Sequence, residues 1–129
     1  MNYFALPGII NQVAPTEEQL IEDAIEAAVK IAGVDNRDAL FAKNRIVPLP
    51  TCRQMLAYFV KNNTKKKLWI IEEMLKQDHS TICHNAKKVE TMLSIKDELY
   101  CNFWHQFQKQ INIINNNRLL KQFQTIKNF

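Results

Sequence analysis

Between Thr64 and Val89 two amphipathic stretches stand almost end to end. Leu68, Ile71 and Leu75, with Met74 at the edge, share one helical face, while Ile82, Ala86, Val89 and Leu93 recur at four, three and four residues on another. The first predicts a helix from about Lys65 to Leu75. The second predicts a helix that starts near Asp78 and runs past Val89. Lys76-Gln77-Asp78-His79-Ser80-Thr81 packs polar side chains into the joint and the first turn after it. Two helices this close can bury their apolar faces only by crossing at an angle around a tight turn, the helix-turn-helix layout.

The rest of the chain reads the same way. Glycine is confined to Gly8 and Gly33. There is no Asn-Gly or Asp-Gly hairpin and no run of alternating strands. The expected class is all-α, compact, with one domain and an extension in 129 residues. Residues 1–15 read as an extended lead-in, with Pro7, Gly8 and Pro15 breaking it and Tyr3, Phe4, Ile9 and Ile10 giving it something to pack. Thr16 and Gln19 have capping-box spacing. They open a helix whose apolar stripe is Leu20, Ala24, Ala27, Ala28 and Ile31, widened by Ile21 and Ile25. Gly33 is placed to end it in a left-handed conformation. Asp35 or Asn36 caps a short helix to Ala42. Thr51 is expected to cap a helix to about Lys61, with Cys52, Met55, Leu56, Phe59 and Val60 inward, and Thr64 to cap the next.

Charge is unevenly spread. Residues 1–42 hold seven acids and two bases, net −5, whereas residues 43–89 hold ten bases and three acids, net +7. A polyanionic partner for the middle follows, with an ordinary solvated face as the plain alternative. Lys43 and Arg45 sit on a loop stiffened by Pro48 and Pro50, able to reach a groove edge or to be a basic connector. Arg53 and Gln54 fall in the first turn of a helix, where free backbone N–H groups welcome phosphate. Lys65, Lys66 and Lys67 are read at a helix N-terminus, where the dipole disfavours cations unless an anion passes nearby. Ser80, Thr81, His84, Lys87 and Lys88 lie off the apolar stripe of the second helix. Hydroxyls, a histidine and an acid at such a helix start suit base-edge contact in a major groove. Asp78 can accept from a cytosine amino group, act as N-cap, or do both.

These motifs together resemble domain IV, the C-terminal DNA-binding domain of the bacterial chromosomal replication initiator DnaA. Asp78-His79-Ser80-Thr81-Ile82, then His84, Ala86, Lys87, Lys88 and Val89, is similar to the family's DHTTV…H…KI pattern. Pro50 followed by Arg53-Gln54-Met55 resembles its PRQMAM helix start; Thr64, Leu68 and Ile71 fit its T…SLxxIG stretch; Gly33-Val34, Leu40 and Lys43 fit GVxxxDLLSKRR. The resemblance covers residues 16–93. It implies a compact helical domain with a Trp-repressor-like helix-turn-helix that binds double-stranded DNA boxes in replication or transcription control. It implies base contacts from Asp78, His79, Ser80 and Thr81 in the major groove and from Arg45 in the minor groove. Contacts to the DNA backbone are implied for Lys43, Arg53, Gln54, Thr64, Lys65, Lys66, Lys67, Gln77, His84, Lys87 and Lys88. The chain departs from the pattern in four places. The turn before Asp78 is one residue shorter, Glu72 replaces the usual Gly, Gln77 the usual Arg, and Ser80 a Thr. No Walker A pattern is present, so ATP-driven origin opening is not expected of this chain.

Residues 94–129 read as a C-terminal helical extension. Leu99, Phe103, Phe107, Ile111 and Ile114 form an amphipathic stripe widened by Tyr100 and Trp104; Asn115-Asn116-Asn117 is expected to interrupt it before Leu119, Leu120, Phe123 and Ile126 resume. This apolar face either folds back on the core or binds a second copy or another protein. An adaptor that keeps the fold and uses this helix is the alternative function. No enzyme, metal or cofactor is expected. His79 and His84 point about 140° apart on a helix, Cys83-His84 lacks zinc spacing, and no nucleophile or phosphate-loop motif appears. Three dispersed cysteines, with no signal peptide and no bilayer-length apolar run, suggest a cytoplasmic protein without a membrane partner.

Overall fold

A computed structural model describes residues 16–42 and 45–127, with side chains as far as Phe123. The lead-in 1–15, Lys43 and the Ile126 side chain lie outside the described residues. All regular structure within them is helical: α1 (Glu17–Ala32), α2 (Arg37–Phe41), α3 (Leu49–Asn63), α4 (Leu68–Leu75), α5 (His79–Ser94) and α6 (Glu98–Lys127).

Local chemistry sets most of the boundaries. Thr16 accepts a hydrogen bond from the Gln19 N–H at 3.2 Å, Asn36 one from Ala39 at 2.9 Å, and Asp78 one from Thr81 at 2.7 Å. Each satisfies a donor that the first helical turn leaves without an intrahelical partner. Gly33, at φ 72°, ends α1 with its N–H on the Val29 and Lys30 carbonyls. Two threonines play other parts than expected. α3 starts at Leu49, with Pro48 at the cap position and Pro50 in the first turn, so Thr51 is already helical. Thr64 follows the same helix, and its N–H and hydroxyl both donate to the Val60 carbonyl, at 3.1 and 2.8 Å. It closes α3 rather than opening α4, which begins at Leu68. Lys65–Lys67 therefore precede α4 instead of forming its first turn.

α3 is the hub, touching α1, α2, α4, α5 and α6. Its Leu56, Phe59 and Val60 meet Ile21, Ile25 and Ala28 of α1, Leu40 of α2, Ile71 and Leu75 of α4, and Ile82 of α5 in one buried cluster. The inward face of α1 centres on Ile21, Ala24, Ile25 and Ala28, and Leu20 and Ile31 flank it half-buried.

α6 folds back and joins the same core through Phe107, Ile111 and Ile114. Phe107 meets Phe59 edge-on at 5.7 Å and Trp104 at 5.8 Å; Tyr58 meets Trp104 edge-on at 5.1 Å. Leu99, placed on that stripe by sequence, is 52% exposed, and Tyr100 is buried instead. The helical period explains the exchange: seven residues before Phe107 is about 20° off its direction, eight is about 80°. α6 also runs unbroken through Asn115–Asn117, contrary to the expected interruption. Three asparagines cost a helix about 2 kcal/mol relative to alanine. Burial of Ile114 and Leu119 around them contributes about 2 kcal/mol each, which outweighs that cost. Arg118 of α6 makes an ion pair with Asp23 of α1, whose side chain is 4% exposed. No helix among the described residues is long and apolar enough to cross a membrane.

Candidate nucleic-acid interface

The joint between α4 and α5 is three residues, Lys76, Gln77 and Asp78. Lys76 takes the left-handed conformation, φ 52°, and its N–H returns to the Glu72 carbonyl. The Gln77 N–H donates to the same carbonyl at 3.3 Å. The chain thus reverses in one residue, and Asp78 caps α5 immediately. Ile82, Ala86 and Val89 seat α5 in the core, which leaves His79, Ser80, Thr81, His84, Lys87 and Lys88 exposed on its outer side. His79 Nδ1 lies 3.7 Å from Glu72 Oε1.

Beside that first turn is a cleft of about 410 Å³ whose walls include Arg45, Arg53, Lys76, Gln77, Asp78 and Thr81. Arg45 arrives from the loop before α3, yet it lines the same space as the start of α5. Arg53 Nη1 donates to the carbonyls of Leu40 and Ala42 at 3.0 and 3.1 Å, stapling the end of α2 to α3. Burial pulls the Arg53 pKa below the ordinary arginine value. Gln77 accepts from Asn85 Nδ2 at 3.3 Å, while its Nε2 is buried with no acceptor. Donors and cations therefore dominate the cleft, with Asp78 the single acid among its lining residues.

The other sequence-marked residues are dispersed around this centre. Gln54 accepts from the Tyr100 hydroxyl at 2.8 Å, which ties the start of α3 to α6. Thr64, Lys65, Lys66 and Lys67 lie at the start of α1. The Lys65 N–H donates to Glu17 at 2.8 Å, and Lys66 pairs with Glu18. That hydrogen bond from Lys66 holds the Glu18 carboxyl below its usual range. The first-turn acids of α1 thus take up part of this cluster, while Lys65 and Lys67 remain exposed. None of the four lines the cleft.

Of the polar residues that line the cleft, Lys76 and Asn85 were not among the expected DNA contacts. Asn85 follows Thr81 by four residues and Asp78 by seven, the same face of α5, so the helical period points to it. Lys76, which also reaches Asp38 at 3.3 Å, carries no such signal. Among the described residues, no group of His, Cys, Asp and Glu is arranged to hold a metal. A second cleft, about 500 Å³ between α1 and α6, mixes Glu22, Asp23 and Glu26 with Lys30, Arg118 and Lys121, so it presents no one sign of charge. No protein-family model, curated protein or solved structure matches this chain.

Proposed function

We propose that this protein binds double-stranded DNA sequence-specifically, as an initiator-like domain resembling domain IV of DnaA, and acts in replication or transcription control. The observation that carries the reading is the shared cleft: Arg45 and the first turn of α5 face one space although 33 positions separate Arg45 from Asp78. A duplex presents a major groove and a minor groove on either side of one sugar–phosphate strand. The start of α5 in the major groove and Arg45 in the minor groove would straddle that strand. Arg45, Arg53 and Lys76 would then face its phosphates. His79, Ser80 and Thr81 are exposed where base edges would lie, and Lys87 and Lys88 extend the basic surface along α5.

Selection from random duplexes tests this. The expected result is one enriched box, bound with an affinity that falls steeply with salt. Arg45→Ala and His79→Ala each weaken that box by about 1–3 kcal/mol and relax one position in it, whereas Lys87→Ala weakens all sequences alike and lowers the salt slope by about 1. A selection that enriches no box overturns base readout. The adaptor reading would need the aromatic face of α6; Tyr100, Trp104 and Phe107 of that face are packed against α3.

A further inference from the structure

The two most exposed large hydrophobic residues of the described chain stand side by side: Ile46 at 67% and Val47 at 77%. They form the tip of the loop that carries Arg45. One end of that tip is anchored. Behind it, Leu49 is 6% exposed and its N–H donates to the Ile46 carbonyl at 2.9 Å. The chain thus presents two β-branched aliphatic side chains to the outside, where they add nothing to the core. Single exposed hydrophobics are ordinary; an adjacent pair directly following Arg45, which lines the basic cleft with Arg53 and Lys76, is a more specific arrangement. Its complement must be anionic around an apolar crevice.

We propose that Ile46 and Val47 form an apolar wedge that enters the minor groove next to Arg45, partly unstacks a base step and bends the duplex. The inference rests on the duplex-binding reading above. Aliphatic side chains that enter the minor groove separate base pairs and kink the axis away from the protein, while arginine beside them reads the groove's A·T-versus-G·C pattern. β-Branched residues suit this, because their restricted rotamers lose little freedom on insertion. Specificity then arises partly from how easily the touched step deforms.

The test uses the enriched box labelled at both ends, with bending read by energy transfer between the dyes. The variant is Ile46→Ser with Val47→Ser, at positions already in water, and its unchanged melting temperature verifies the fold. The expected result is a bent complex with the natural chain. The variant keeps the same box, binds about tenfold more weakly and leaves it straight. A straight complex with the natural chain, or an equal bend with the variant, overturns the wedge while leaving duplex binding intact. Absence of any enriched box overturns both. Co-sedimentation with vesicles of mixed phosphatidylserine and phosphatidylcholine is run alongside. If the natural chain sediments, the variant does not, and bending is the same for both, the tip is a lipid-inserting element and the wedge is wrong.

Discussion

Asp78 carries two separable roles. Its carboxylate caps α5 by accepting from the Thr81 N–H, and it stands in the cleft with Arg45 and Lys76. Asp78→Ala removes the cap and should cost about 1 kcal/mol, seen as a drop of about 4 °C in thermal melting. Asp78→Asn keeps an equivalent cap and should melt near the natural chain, but it changes the preferred box because an amide donates as well as accepts. Cys52 gives a different prediction at this scale. It is buried, and burial raises its thiol pKa to about 11. A raised folded pKa means that the unfolded chain loses its proton first. Stability is therefore intact below the ordinary thiol pKa near about 8.5 and declines as pH rises from there toward about 11. Urea unfolding at pH 7.5 and pH 10 should show the decline, and it should be smaller in Cys52→Ala. Cys83 and Cys101 are partly exposed, so a thiol reagent should label them before Cys52. The capping residues Thr16, Gly33 and Asp78 were legible in the sequence, and Asn36 was one of two candidates there. Thr51 and Thr64 were misassigned because a threonine hydroxyl serves equally at a helix start or end; which it does depends on the backbone it finds.

At the scale of elements, α4, its turn and α5 matter most. Lys76 holds a left-handed conformation that a side chain disfavours by about 1 kcal/mol. Its contact with Asp38 is exposed on both sides, so losing that pair costs only about 0.3 kcal/mol. Lys76→Gly should therefore raise stability slightly, by about 0.5 kcal/mol in urea unfolding, while removing one cation from the cleft and weakening duplex binding. The helical period identified α3, α4 and α5 and most of their buried faces, since each face is a matter of residues three and four apart. It misjudged the start of α4. Lys65–Lys67 leave the helix because cations are unfavourable at its N-terminus and because Lys66 finds Glu18 on α1, 48 positions away.

For the molecule as a whole, the decisive fact is that α6 returns to the core. Phe107 is 2% exposed and touches both Phe59 and Trp104. Phe107→Ala should cost about 3–5 kcal/mol, enough to leave a domain of this size barely folded. Circular dichroism during heating would show it; a loss under 1 kcal/mol would mean α6 is not held there. Arg118→Ala leaves the Asp23 carboxylate buried without its cation and should cost about 3 kcal/mol at neutral pH. Without Arg118, burial favours the protonated acid, so the deficit of this variant should shrink as pH falls toward about 5.

The sequence by itself determined the all-helical class, the caps and most inward faces, because these depend on atoms within four or five residues of one another. It also marked Arg45 and the Asp78–Thr81 turn as residues to watch. Only the tertiary structure decided that they share a cleft, that Arg53 ties the end of α2 to α3, that Gln54 answers to Tyr100, and that Asp23 and Arg118 pair across α1 and α6. Those contacts join positions 11 to 95 residues apart. Their formation depends on how the packed faces of α3 orient every other helix, and no local pattern encodes that orientation.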